Sequence, residues 1–341
     1  MTAAPGDYLI AAEDLRINLM LRGGHIGVID GISFHVKPGE VLALVGESGS
    51  GKSVTAQSVL RLLPRELQIV SGRILFKHDP GAPAVDLARL KPDGAEMRKI
   101  RGNRIAMVFQ EPMSSFSPLH TIGSQIGDVL KLHRGLRGAA VREAAAELLD
   151  KVGISDPIRA VERYPHEFSG GMRQRAMIAK ALACGPALLI ADEPTTALDV
   201  TIQAQVLDLM RRLQAELGMA IIFITHDLGI VAQMADRVAI MYTGKIVETG
   251  PVREIFHRPR HPYTVNLLRA VPKLGRLRHW RDLKPIRGAV PSLYSLPTGC
   301  TFHPRCDAFI AGICEREFPA PRDVTAGHAV SCHAVSGAGP A

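Results

Sequence analysis

No stretch of this sequence is long and apolar enough to cross a membrane. The longest apolar runs, such as Val41 to Val45 and Met219 to Ile224, fall far short of the ~18 or more residues a spanning helix needs, so any membrane role is expected to be peripheral. The opening residues carry Asp7, Glu13 and Asp14 without a cationic start and apolar core, so no secretory leader is read there and a cytosolic chain is expected. No five or six like charges stand in a row, although 41 Lys and Arg against 33 Asp and Glu leave a net charge of +8. The basicity is diffuse and reads as a solvated surface, with no nucleic-acid groove expected. Five cysteines are too few for a disulfide scaffold in 341 residues, yet four of them crowd the last 42. A repeat of roughly 20 to 50 residues is also missing, which argues against solenoids and propellers.

What is present is the balance of a soluble globular chain, with 46% apolar and 22% charged residues and a length that suggests about two domains. Short β-rich runs bounded by Gly and Pro alternate with helical patterns: VLALV at 41–45, RIAMVF at 104–109, ALLIA at 187–191 and AIIFIT at 220–225. Continuous apolar strands separated by helices imply a parallel sheet covered on both faces, hence an α/β core. The Ala-rich pattern from Leu136 to Val152 reads as one amphipathic helix within an inserted helical segment at roughly 115–168. After Arg253 repeated prolines break the periodicity and the cysteines appear, so 1–253 is read as the main domain and 254–341 as a separate C-terminal extension.

The sharpest motif is Gly46-Glu47-Ser48-Gly49-Ser50-Gly51-Lys52-Ser53, which fits G-x-x-x-x-G-K-[ST] directly after the strand 41–45 and before a helical pattern. A triphosphate must be wrapped by main-chain N–H groups, and glycines clear the space for that approach. The helix beginning near Lys52 points its positive end at the phosphates, Lys52 adds a mobile charge, and the Ser53 hydroxyl can ligate Mg²⁺. ATP or GTP binding is predicted here. Leu188 to Glu193 is an apolar strand ending in two acids, where Asp192 would hold Mg²⁺ and Glu193 would orient or deprotonate the attacking water. The segment Phe168-Ser169-Gly170-Gly171 opens a further helix with a Ser cap and two glycines, a second anion-receptive start.

Gln110 after RIAMVF, Ser169-Gly170-Gly171, Asp192-Glu193, Asp199 in TTALD and His226 in ITHD together resemble the motif set of an ABC-type ATPase over roughly residues 8–250. The resemblance implies a P-loop core with a parallel sheet, an antiparallel β subdomain and a helical subdomain. It also implies a head-to-tail dimer, with ATP between the phosphate loop of one subunit and Ser169 to Gly171 of the other. It assigns Gln110 to sensing Mg²⁺ and the attacking water, Asp199 to communication across the dimer and His226 to the γ-phosphate. Two positions depart from the family pattern: Leu19, after Asn18, stands where an aromatic often stacks on adenine, and Phe168 replaces the common Leu.

The runs 189–207, 261–272 (HPYTVNLLRAVP) and 299–306 (GCTFHPRC) further resemble the ATP-binding subunits of dipeptide, oligopeptide and nickel importers. That resemblance implies a peripheral subunit on the cytoplasmic face of the inner membrane that energises uptake of peptides or related small solutes. The partners it implies are two membrane permease subunits, a paralogous second ATPase and, indirectly, an extracytoplasmic solute-binding protein. The loop from Gln110 to Leu119 would pass motion to the membrane subunit.

Cys300, Cys306, Cys314 and Cys332 are spaced C-x5-C-x7-C-x17-C, wider than the pairs of zinc ribbons. Four cysteines in a Pro-rich tail argue for a metal-stapled fold, with unligated thiols or two disulfides as the alternatives. The importer resemblance places a [4Fe–4S] cluster ahead of Zn²⁺, as a structural staple before a redox sensor. Cys184 reads as an ordinary core thiol, and His303, His328 and His333 as surface residues. An ABC ATPase acting on DNA or the ribosome would carry a coiled coil or two cassettes, neither of which is seen. A P-loop kinase would leave Ser169 to Gly171 and His226 without a role.

Overall fold

The protein is described by a computed structural model over residues 8–78, 83–110, 115–196, 198–270 and 286–335. Two sheets carry the fold, and elements are numbered in chain order. The smaller is antiparallel, built from β1 (Ile10–Leu21), β2 (Gly24–Val36), β4 (Leu67–Phe76) and β5 (Val85–Asp86) in the order β2-β1-β4-β5. Among the described residues the larger has eight strands, in the order β11 (Arg322–Thr325), β12 (His328–Val330), β10 (Lys245–Pro251), β9 (Arg237–Tyr242), β3 (Val41–Val45), β8 (Ala220–Thr225), β7 (Leu188–Asp192) and β6 (Ile105–Val108). Its centre is the predicted parallel block of β3, β6, β7 and β8, with β9 parallel to β3. Every residue of β3, β6, β7 and β8 is buried, as strands covered on both faces must be.

Helices supply those covers. They are α1 (Lys52–Val59), α2 (Ala95–Ile100), α3 (Ile122–Arg134), α4 (Ala139–Lys151), α5 (Pro157–Ala160), α6 (Gly170–Ala181), α7 (Val200–Leu217) and α8 (Leu228–Met234). α3 is bounded by local chemistry: the Thr121 hydroxyl accepts the Ser124 N–H at 3.2 Å, and Gly135 closes the helix at φ 66°. α7 is bounded likewise, by Asp199 at its start and Gly218 at its end. α3, α4 and α6 bury Ile126, Leu130, Leu149 and Met177 against the sheet residues Ala106, Leu189 and Phe223 in one continuous core.

The C-terminal extension is joined to this body as the sequence does not announce. β10 (Lys245–Pro251) pairs with β9, and β12 (His328–Val330) and β11 (Arg322–Thr325) then extend the same sheet antiparallel. α9 (Val252–His257) and α10 (Pro262–Arg269) lie between them in sequence. Tyr242, Tyr263 and Phe302 pack ring to ring, with centroids 4.7–5.4 Å apart, on the same core as Ala43 and Val45 of the central strand. His328 corrects the surface reading: it is fully buried, and its Nε2 lies 2.7 Å from the buried Glu248 carboxylate. A β-hairpin closing the sheet edge explains this, because neighbouring residues of β12 pack on β10.

Candidate nucleotide site

In a parallel sheet, ligands bind at the carboxyl ends of the strands. The predicted residues stand there in a row: Gly46 follows β3, Gln110 follows β6, Glu193 follows β7 and His226 follows β8. The loop after β3 must run close to its neighbours. A Cβ on Gly46 would meet the Met241 carbonyl oxygen at 2.2 Å, and Gly51 caps α1 at φ 98°, a left-handed conformation costly for any other residue. Ser48 and Gly49 are exposed at the loop's tip, while Ser50 is buried. No side chain caps α1, which leaves the amides of its first turn available to an anion.

Lys52 folds back into the loop, its Nζ donating to the carbonyls of Gly46 at 2.8 Å and Glu47 at 3.0 Å, with Ser50 Oγ at 3.4 Å. Burial lowers the Lys52 pKa, and the nearby carboxylates of Glu193, Asp192 and Glu47 work against that. Asp192 is pushed the other way: burial raises its pKa, the Ser53 hydroxyl bond lowers it, Glu193 raises it and Lys52 lowers it. Ser53 Oγ donates to Asp192 Oδ1 at 3.1 Å, so the two predicted Mg²⁺ ligands are neighbours across 139 positions of sequence. Two hard oxygen donors, one of them a buried carboxylate, fit a divalent cation that keeps most of its water.

Glu193 is the focus of the next cluster. Its carboxylate accepts from Gln110 Nε2 at 3.0 Å and Thr196 Oγ1 at 3.0 Å, and His226 Nδ1 lies 3.1 Å away. Its φ of 45° is unusual for a non-glycine residue, and its N–H is tied to the Ile224 carbonyl of β8 at 2.9 Å. The carboxylate is therefore aimed by backbone as well as by three side chains. Such a group can hold and polarise a water beside a phosphoryl group.

The remaining predicted residues are elsewhere on the surface. Ser169 caps α6, accepting the Met172 N–H at 3.3 Å, and Ser169 and Gly170 are exposed. Gly171 packs so near α7 that a Cβ would meet Ile202 Cγ2 at 2.7 Å. Asp199 caps α7, and Val200 beside it is 82% exposed. None of the described hydrogen bonds joins these residues to the 46–53 loop of the same chain. Phe168 is buried in the main core, as its packing role predicts. Residues 111–114, part of the predicted motion-transmitting loop, lie outside the described residues, as do 271 and 272 of the HPYTVNLLRAVP run.

Sequence reasoning missed a contact from the extension onto the phosphate loop. Arg305 donates from Nη1 to Glu47 Oε2 at 2.8 Å and from Nη2 to Glu47 Oε1 at 3.2 Å, and the Glu47 N–H donates to the Tyr263 hydroxyl at 2.9 Å. Both partners lie in runs already singled out, Tyr263 in HPY and Arg305 between two cysteines, but no spacing rule links them to position 47.

All five cysteines are free thiols. Cys300 is pushed up to about 11, first by burial, then by the neighbouring Cys314, Cys306 and Cys332. The four cysteines thus share one region, with the Cys300 N–H bonded to the Cys314 carbonyl at 2.8 Å. Among the described residues, however, no three His, Cys, Asp or Glu side chains converge as a group that could hold a metal ion. These side chains therefore do not form the expected Zn²⁺ or [4Fe–4S] site.

Comparison with known proteins brings in two families. Residues 29–196 match the family described as ABC transporter, and 247–314 match the one described as oligopeptide/dipeptide transporter, C-terminal region. A relative in Brucella abortus is 51% identical over 328 residues, covering 95% of this chain and 96% of its own. The dipeptide transport ATP-binding protein DppD of Bacillus subtilis is 46% identical, over 96% of this chain and 94% of its own. Among solved structures, the dimeric post-hydrolysis state of the ATP-binding cassette MJ0796 bound to ADP and Pi matches with a TM-score of 0.62. It is 26% identical and covers 72% of this chain and 99% of its own.

Proposed function

From the premise that the chain belongs to the ABC transporter family, we propose that it is the ATP-hydrolysing subunit that energises peptide import through a membrane permease. The carrying observation is the Glu193 carboxylate, held by Gln110, Thr196 and His226 one residue beyond the Ser53–Asp192 pair. Bound Mg²⁺–ATP supplies the electrophilic γ-phosphoryl group. Gly46, Ser48, Gly49, Ser50 and Gly51 form the cradle, Lys52 turns from the loop carbonyls toward the phosphates, and Ser53 and Asp192 hold Mg²⁺. Glu193 orients and deprotonates the attacking water, while Gln110 and His226 fix that carboxylate and reach toward the γ-phosphate. Ser169, Gly170, Gly171 and Asp199 act across the seam of a dimer. Support for this comes from the exposure of Ser169, Gly170 and Asp199, and from the absence, among the described hydrogen bonds, of any that ties these residues to their own loop.

In this reading residues 1–253 are the nucleotide-binding domain, with its helical subdomain at about 115–168, and 254–341 the extension. The second subunit is a paralogous ATPase, the permease has two membrane subunits, and an extracytoplasmic protein delivers the solute. The assembly sits at the cytoplasmic face of the inner membrane; among the described residues no helix is long and apolar enough to cross it. A [4Fe–4S] cluster on the four cysteines of the extension, ahead of Zn²⁺, would require these side chains to draw together, since among the described residues no three of them converge. Iron and sulfide analysis of anaerobically purified protein tests that assignment, and metal-free, colourless protein overturns it.

The test of the function is Glu193→Gln in the reconstituted transporter. ATP binding is expected to persist while turnover falls by at least about a hundredfold, the lower end for loss of a general base. Retained hydrolysis would show that the base lies elsewhere.

A further inference from the structure

We propose that Arg305, carried by the C-terminal extension, is a positioning residue for ATP binding: it masks the Glu47 carboxylate so that the phosphate loop presents amides to the triphosphate. This rests on the reading that the phosphates occupy the 46–53 loop, and it adds a role for the extension inside the nucleotide site.

Glu47 is the second residue of the loop, and its motif position demands no particular side chain. An unpaired carboxylate there would oppose the charge of an incoming triphosphate in a partly desolvated loop. Arg305 engages both carboxylate oxygens, as only a guanidinium fork can. The fork is itself fixed. Its Nε donates to the Arg287 carbonyl at 2.9 Å and its Nη1 also reaches the Tyr242 hydroxyl at 3.3 Å. The guanidinium carbon lies 5.8 Å from the Tyr242 ring centroid and 5.9 Å from that of Phe302. Arg305 is 6% exposed, so its charge is committed to this contact and not to solvent.

The backbone of the same residue is held too, since the Glu47 N–H donates to Tyr263 of α10. The Glu47 carbonyl meanwhile accepts from Lys52, whose ammonium must leave it to reach a phosphate. The extension therefore grips the loop by side chain and main chain at the residue next to the Lys52 resting place. Nothing local in the sequence could arrange this, because the partners are 258 positions apart.

The experiment measures ATP binding to the full chain by displacement of a fluorescent ATP analogue, with melting temperature recorded for each variant. Arg305→Gln is expected to weaken ATP binding about tenfold, and Arg305→Lys, which keeps charge but loses the fork, two- to threefold, roughly. Glu47→Gln alone binds at least as tightly as the unmodified chain, and Glu47→Gln combined with Arg305→Gln recovers most of the lost affinity. A double variant as weak as Arg305→Gln, or an Arg305→Gln variant that binds normally, overturns the proposal. If Arg305→Gln does not fold, Arg305→Lys and its combination with Glu47→Gln decide on the same terms. Lys52→Ala separates the two levels: loss of binding there with normal binding in Arg305→Gln sinks only this inference, whereas normal binding in Lys52→Ala sinks the reading of the loop itself.

Discussion

The chain holds two helix starts fit to receive an anion, and they are finished to different degrees. At α1 the amides are framed by Lys52, by Ser53 hydrogen-bonded to Asp192, and by a loop clamped from the extension through Glu47. At α6 there is Ser169, capping its own helix on an exposed surface, with glycines beside it. The first is a site built by one polypeptide; the second offers exposed amides, while the nearby Arg173 donates to the Pro165 carbonyl at 2.7 Å and Glu167 accepts the Tyr164 N–H at 2.6 Å. Physical chemistry makes this difference informative. Exposed amides bind a phosphate weakly in water, but the same amides closed over a nucleotide already held by another copy act in a low-dielectric seam.

The strongest way to break the contrast is Ser169→Asp, which keeps a good helix cap while placing a negative charge where a phosphate would approach. Turnover of the assembled transporter is expected to drop on the order of a hundredfold, as for loss of an oxyanion-stabilising group. ATP affinity of the single chain is expected to stay as it was, measured by the same displacement titration. A weakened single-chain affinity would mean that α6 serves its own loop, and the division between the two starts would be wrong.

Acid sharpens the contrast from the other side. His261 accepts the Tyr263 N–H at the start of α10, and burial lowers its pKa to about 4. The unfolded chain takes up a proton at His261 near the ordinary 6.5, the folded one only near 4, so stability is full above 6.5 and is lost as pH falls between those values. The depth is about 3–4 kcal/mol at most, at roughly 1.4 per pH unit. His261→Asn keeps a capping acceptor and removes the titration, so its melting temperature is expected to fall less between pH 6.5 and 4. Since α10 carries Tyr263 to Glu47, this loss strikes the framed helix start and spares the open one; an unchanged acid limb would detach His261 from that support.

The two starts also differ in how much of them could be read from sequence. Strands 41–45 and 220–225 coincide with β3 and β8, and the helix start at Lys52 and the Ser169 cap lie where motif and cap chemistry put them. Local signals suffice there, because apolar runs and capping residues act within a few positions. The helix read from Leu136 begins instead at Ala139, since Gly135 and Gly138 adopt left-handed backbone and interrupt it. The meeting of Gln110, Glu193 and His226 was legible only through family resemblance. The Arg305–Glu47 contact and the buried His328 were not legible at all. His328 is buried because the extension adds strands to the main sheet, a pairing that alternation of apolar residues in segments of 3 and 4 residues does not specify, and Arg305 meets Glu47 across 258 positions that no local signal spans.

The smallest expected effect tests whether the departure at Phe168 belongs to packing or to the open helix start beside it. Phe168 is 2% exposed and sits in the core with Ile122, Phe116 and Ala176, while Ser169 faces solvent. The boundary between the two roles therefore falls within one peptide bond. Replacing Phe168 by Leu conserves apolar character and trims volume, which costs less than about 1.5 kcal/mol where neighbours can close in. Truncation to Ala would cost about 3–5 kcal/mol. A graded fall in melting temperature from Phe through Leu to Ala, with turnover of the Leu variant unchanged, assigns the ring to the core. A Leu variant that melts normally yet turns over slowly would instead give the ring a part in presenting the Ser169 amides, and the open start would be less bare than its exposed residues suggest.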